Sequence, residues 1–158
     1  MTAQVHVPSL FSRAGTVSAL TLVAVGGTLV APGATPDAHA ASPLATRAVH
    51  IAASKAGAPY RWGATGPRSF DCSGLAAFSY KKAGKSLPRT TQQQYNRTRH
   101  VSARTRRRGD LVFFHSGGYV YHVGIYAGHN RIWHAPKTGS SVRLEHIWTK
   151  DVWYGRVA

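Results

Sequence analysis

Helix-period patterning at the front of the chain and short runs of β-branched and aromatic residues at its back predict an α+β domain, with N-terminal helices packed on an antiparallel β-sheet. The strand-like runs follow one another across brief Gly-, Asn- and Ser-containing separators that leave no room for crossover helices. Alternating βαβ units are thereby excluded.

Leu44, Val49, Ile51 and Ala52 among alanines, closed by Lys55 and Gly57, predict a first helix over roughly residues 43–56. Pro59-Tyr60-Arg61-Trp62-Gly63-Ala64-Thr65-Gly66-Pro67 is a loop of turn formers. Ser69-Phe70-Asp71 then offers capping side chains, and Leu75, Ala76, Phe78, Ser79 and Ala83 recur at helical spacing. A second helix is expected over about 72–83, with Lys81 and Lys82 in its last turn and Gly84 as its stop. Leu87-Pro88-Arg89-Thr90 interrupts the chain, and residues 91–97 have room for one or two helical turns. From residue 110 the period changes: 111–115, 121–127, 131–134 and 142–147 read as strands, with a last one within 152–157. Their separators at 116–118, 128–130 and 137–140 suit the hairpins of an antiparallel meander.

The first forty residues stand apart. Arg13 precedes an uncharged, largely apolar stretch, 17–30, followed by Pro32, Gly33, Pro36 and Ala38-His39-Ala40, the pattern of a secretory signal cleaved after Ala40. That stretch contains Gly26 and Gly27 and is shorter than the roughly 20 apolar residues a bilayer span needs, so no stable membrane anchor is expected. Residues 41–158 then form one domain, secreted and either extracellular or associated with the cell wall.

Twenty Lys and Arg against five Asp and Glu give a net charge of +15; Arg13 and Asp37 cancel, so the whole surplus lies in 41–158. Such a cation outside the cell implies anionic surroundings: phosphate-bearing wall polymers, lipid headgroups or free nucleic acid. The densest cluster, Arg97, Arg99, Arg104, Arg106, Arg107 and Arg108, lacks interleaved aromatics for base stacking, so specific nucleic-acid binding is not expected. It reads either as a solvated loop or as a polyanion site. A single cysteine excludes an internal disulfide and a thiolate zinc site, and no HExxH occurs; no metal and no cofactor are expected.

That cysteine, Cys72, is where chemistry concentrates. At the first position of a helix it meets the positive end of the macrodipole, which is expected to lower the thiol pKa, with Asp71 as N-cap or substrate contact. The competing reading is a small buried hydrophobe. A thiol nucleophile needs an imidazole base. His50, His100 and His129 fall in a helix, a basic loop and a turn, while His115 and His146 sit near strand ends and stay open as candidates. His122 shares a strand face with Gly124 and Tyr126, opposite Val123 and Ile125. If the next strand forms a hairpin with it, His134 could orient His122 through its second ring nitrogen.

Six blocks in order, Pro59-Tyr60-Arg61-Trp62-Gly63, Phe70-Asp71-Cys72-Ser73-Gly74-Leu75, Leu87-Pro88-Arg89-Thr90 with Gln94, Gly109-Asp110-Leu111-Val112-Phe113-Phe114, His122-Val123-Gly124-Ile125-Tyr126 and His134-Ala135-Pro136, resemble the NlpC/P60 family of cell-wall peptidases. They run in the family's order from residue 59 to residue 136. The resemblance implies a papain-like fold and a catalytic triad of Cys72, His122 and His134. It implies a peptidoglycan stem peptide as substrate, cut between γ-D-glutamate and the diamino acid at position three. Tyr60, Asp71 and Ser73 match positions that line the family's substrate groove; from the residues alone they are equally loop packing, a helix cap and a first-turn hydroxyl. Gly63-Ala64 departs from the Gly-Gly the family often has there. No wall-binding module is expected beside the domain, and the charge itself is expected to hold it on anionic wall polymers. An amidase with the same nucleophile, a catalytically idle basic wall-binding protein and a secreted nucleic-acid binder are the rival readings.

Overall fold

In a computed structural model the described residues are 41–158; the expected signal segment, 1–40, lies outside them. Helices begin where a side-chain oxygen is available to cap them. Ser42 accepts from the Ala45 N–H ahead of Pro43 to open α1 (Pro43–Ala53). Asp71 does the same for Gly74 at the start of α2 (Cys72–Ala83), and Thr90 forms a reciprocal capping box with Gln93 at the start of α3 (Thr91–Arg97). Gly84, at φ 116°, ends α2 in the left-handed conformation and donates to the Tyr80 and Lys81 carbonyls. α1 stops short of the expected residue 56, because tight bonds from Lys55 to Ala52 and from Ala56 to Ala53 break the helical ladder.

The sheet has six antiparallel strands: β1 (Arg99–Val101), β2 (Leu111–Ser116), β3 (Tyr119–Gly128), β4 (Arg131–His134), β5 (Arg143–His146) and β6 (Val152–Arg156). Their order is β1-β6-β2-β3-β4-β5, so the meander covers β2 to β5 only. β6 returns to pair with β2 and receives β1, a strand where the sequence suggests a basic loop. Helices on one side of an antiparallel sheet make the domain α+β, as expected.

Alternation along β2 and β3 builds the two faces. Leu111, Phe113, Val123 and Ile125 meet Val49, Ala52, Ala76 and Tyr80 of the helices, while Val112, Phe114, Tyr126, Ile132 and Tyr154 pack on the opposite face. Burying each such side chain contributes about 1.5–3 kcal/mol before entropy is counted. A third cluster, Phe70, Leu75, Ala135 and Val142, ties the 59–71 loop and the end of β4 to α2. One detail of register positions the site. β4 pairs with β3 from Ile125 onward, so His122, Val123 and Gly124 precede that pairing, and the Val123 amide is turned to the Cys72 sulfur instead.

Candidate active site

Cys72 opens α2 and packs partly buried against the cluster that contains Val123. The backbone N–H groups of Val123, Ser73 and Cys72 itself favour the thiolate, as a helix N-terminus should, yet they do not prevail. Burial pushes the thiol pKa up from its ordinary value, and the Asp71 carboxylate pushes it further. The expected lowering is therefore corrected: burial outweighs the helix terminus, and the thiol pKa moves up.

His122 is 7% exposed, and its Nε2 lies 2.9 Å from Nδ1 of His134, which is 1% exposed. His134 Nε2 in turn is 2.9 Å from Glu145 Oε2, and Arg143 Nε donates to the same oxygen at 2.8 Å. The tautomers follow from the far end. Arg143's bond, followed by His134's, holds the Glu145 carboxyl below its usual range, so it is an acceptor only. His134 must then donate from Nε2, and burial keeps its ring neutral against Glu145's pull, which leaves its Nδ1 bare. His122 must donate from Nε2 to that nitrogen. Its own pKa is pushed down to about 3, by burial first and by His134 next, and its Nδ1 lone pair is left free to accept a proton.

Gly124 permits this approach: a Cβ there would lie 2.7 Å from Ile132 Cδ1, on the strand that delivers His134. Trp148 stacks on Phe114 with centroids 4.0 Å apart and flanks both imidazoles, at 5.8 Å from His122 and 5.5 Å from His134.

A second polar cluster lies at the α2 N-terminus. Asp71, 5% exposed, accepts from Gly74 N–H at 2.7 Å and Gly63 N–H at 2.9 Å, and both Arg89 Nη atoms donate to it. Ser73 Oγ donates to Asp71 at 3.3 Å and accepts from Arg89 Nη1 at 2.9 Å. Burial, then the neighbouring Cys72 and Asp71, raise the Tyr60 phenol pKa. Tyr60, Asp71 and Ser73 therefore surround the cysteine, and Asp71 is a helix cap whatever else it does. Gln94 is fully buried and its Nε2 donates to the Ser73 and Pro88 carbonyls, both at 2.9 Å, tying the Arg89 segment to α2.

The remaining histidines lie elsewhere. His115 stacks on Trp153 at 3.7 Å, His100 stacks on Tyr95 at 4.1 Å, His129 occupies a turn with φ 50°, and His50 and His146 are exposed. Sequence reasoning assigned no role to Arg89, Glu145 or Trp148. Arg89 lies within Leu87-Pro88-Arg89-Thr90, one of the six blocks that carry the resemblance. Glu145 could have been reached from Arg143, two residues away on the same face of a strand beside β4.

The NlpC/P60 family profile matches residues 57–157. A probable endopeptidase of Corynebacterium glutamicum (strain R) is 42% identical over 129 residues, 82% of this chain and 57% of its own length. The bifunctional muramidase/DL-endopeptidase CwlT of Bacillus subtilis (strain 168) is 45% identical over 87 residues, 52% of this chain and 26% of its own. Among solved structures, the peptidoglycan hydrolase RipB of Mycobacterium tuberculosis aligns with a TM-score of 0.65 at 29% identity, over 72% of this chain and 64% of that one. The chain thus spans a little over half the length of the corynebacterial relative.

Proposed function

Because the chain belongs to the NlpC/P60 family, we propose that it is a peptidoglycan endopeptidase, a cysteine peptidase that hydrolyses the γ-D-glutamyl–diamino acid bond of stem peptides. The observation that carries this reading is the file Arg143–Glu145–His134–His122, which ends in a bare Nδ1 on the residue next to Val123, whose amide faces the Cys72 sulfur.

Cys72 is the nucleophile, His122 the general base and His134 the group that orients it. As sulfur attacks the γ-carbonyl, the thiol proton passes to His122 Nδ1, so the thiolate exists only while the new bond forms. The oxyanion takes the N–H of Cys72 at the helix start. Collapse breaks the C–N bond, and the leaving amine carries away the proton held by His122. Water then gives a proton to His122 and attacks the thioester; the C–S bond breaks and the proton returns to sulfur. His134 and Glu145 spread the transient imidazolium charge along their hydrogen bonds. Tyr60, Asp71 and Ser73 hold the acyl side of the stem, with Asp71 kept rigid by its cap. No cofactor enters these steps.

Residues 1–40 act as the secretory signal and 41–158 as the catalytic domain, working outside the cell on the wall, where anionic polymers retain the +15 chain. Mass spectrometry of muropeptides digested by the purified chain, with Cys72→Ser alongside, tests the assignment. A new fragment ending in D-glutamate, absent with Cys72→Ser, is expected. Intact stems released from sugar would make the chain an amidase, and equal digests from both proteins would remove Cys72 from the chemistry. N-terminal sequencing of the exported protein is expected to begin at Ala41.

A further inference from the structure

Beside the histidine pair, on the sheet side, lies an open hollow of about 300 Å³. His122 and His134 form its floor, Tyr121 and Trp148 its apolar walls, and Lys137, Arg143 and Glu145 its polar rim. The Tyr60–Asp71–Ser73–Arg89 cluster has no part in it. The mechanism decides which part of the substrate belongs here. A leaving amine must come within hydrogen-bond reach of the imidazole that protonates it, so the departing residue sits against His122, while the acyl fragment lies over the α2 N-terminus.

The chemistry of the rim then selects that residue. Arg143 spends only Nε on Glu145, so its terminal nitrogens keep donors to offer, and Lys137 is exposed and joins no ion pair among the described residues. Glu145 uses Oε2 for both His134 and Arg143, which leaves Oε1 for an incoming ammonium. Two cations and one carboxylate around an aromatic slot match a side chain whose methylenes end in an amino-acid head, carboxylate and ammonium together. A side chain ending in an ammonium alone would meet Lys137 and Arg143 with a like charge.

We propose that this hollow is the leaving-group subsite, and that Lys137 and Arg143 make the enzyme selective for a position-three diamino acid bearing a free side-chain carboxylate over one that carries an amide there or only an amine. The proposal rests on the endopeptidase reading and adds the identity of the leaving residue. Lys137 acts on the departing half alone, so its effect falls on the choice between stems; Arg143 also holds Glu145 behind the histidine pair, so its replacement lowers kcat/KM on every stem besides narrowing the ratio.

The test uses three synthetic stem peptides that differ only at position three: a diamino diacid, the same residue with its side-chain carboxylate amidated, and lysine. One charge-assisted contact gives roughly a tenfold preference in kcat/KM for the free diacid over its amide. Lys137→Gln, a change at an exposed position that leaves the fold intact, and Arg143→Gln are each expected to bring that ratio toward one. Equal cleavage of all three stems by the unaltered chain overturns the proposal while leaving the endopeptidase reading in place. An undiminished ratio in both variants overturns it too, because selection would then lie elsewhere. Failure to cut any of the three removes both.

Discussion

Burial and then the Asp71 carboxylate push the Cys72 thiol pKa up, and burial pushes the His122 pKa down, so both shifts favour an uncharged pair at rest. Alkylation of Cys72 by iodoacetamide is therefore expected to be slow at neutral pH and to accelerate only on the alkaline side of an ordinary thiol. A fast rate that is flat from pH 5 to 8 would mean a preformed thiolate–imidazolium pair instead. His122 also has a consequence for stability. In the unfolded chain its imidazole takes a proton below about pH 6.5, whereas in the fold it resists down to about 3. Between those values the unfolded state binds the extra proton, so stability is fully present above pH 6.5 and declines as pH falls, by at most about 1.4 kcal/mol per pH unit for this group. His134, lowered in the same direction, adds to the decline. Urea unfolding at pH 7, 5.5 and 4.5 should show a shallower acid loss in His122→Gln than in the unaltered chain; parallel curves would contradict a buried neutral imidazole.

The start of α2 depends on a missing side chain. Gly to Ala inside a helix ordinarily gains about 1 kcal/mol. At Gly74, however, a Cβ would run into the carbonyl oxygen of Ala64, which already accepts from the Asp71 N–H at 2.9 Å. Backbone on both sides cannot yield as a side-chain tip can, so Gly74→Ala is expected to lose about 1–3 kcal/mol, read from denaturant midpoints. A stabilised variant would show that the 59–71 loop gives way freely. α2 was legible in the sequence because its signals are local: Asp71 caps it and Gly84 ends it within the same stretch of chain. The β3–β4 hairpin was legible for a related reason, since His129 and Asn130, at φ 50° and 56°, form a two-residue turn between two apolar runs. That turn made a meeting of His122 and His134 foreseeable. β1 was not legible, because Arg-His-Val has no alternation to read and its ladder comes from β6, far along the chain. Arg89 and Glu145 were missed on the same ground: their partners, Asp71 and His134, are set by tertiary packing.

Charge acts over the whole domain, and the fold sorts the arginines that looked alike in sequence. Arg106 lies over the rings of Tyr126 and Tyr154, at 5.3 and 5.5 Å, while Arg97, Arg99, Arg104 and Arg108 are exposed. Arg99 belongs to β1, at one edge of the sheet, and Arg97 and Arg104 flank that strand; His122 and His134 belong to β3 and β4, toward the other edge. With strands spaced about 4.8 Å apart, β1 and β4 are about 19 Å from each other, beyond the roughly 10 Å reach of a charge at 0.1 M salt. The proposed retention on an anionic wall and the proposed cleavage of the stem are therefore separable. Replacing Arg97, Arg99 and Arg104 by Gln should lower co-sedimentation with isolated walls and leave kcat/KM on a soluble stem peptide unchanged. For the unaltered chain, binding should fall steeply between 0.1 and 1 M NaCl, as the screening length drops to about 3 Å, and should fall equally on walls stripped of their phosphate polymers. Retention that ignores both salt and the three arginines would mean that contacts other than charge hold the domain on the wall.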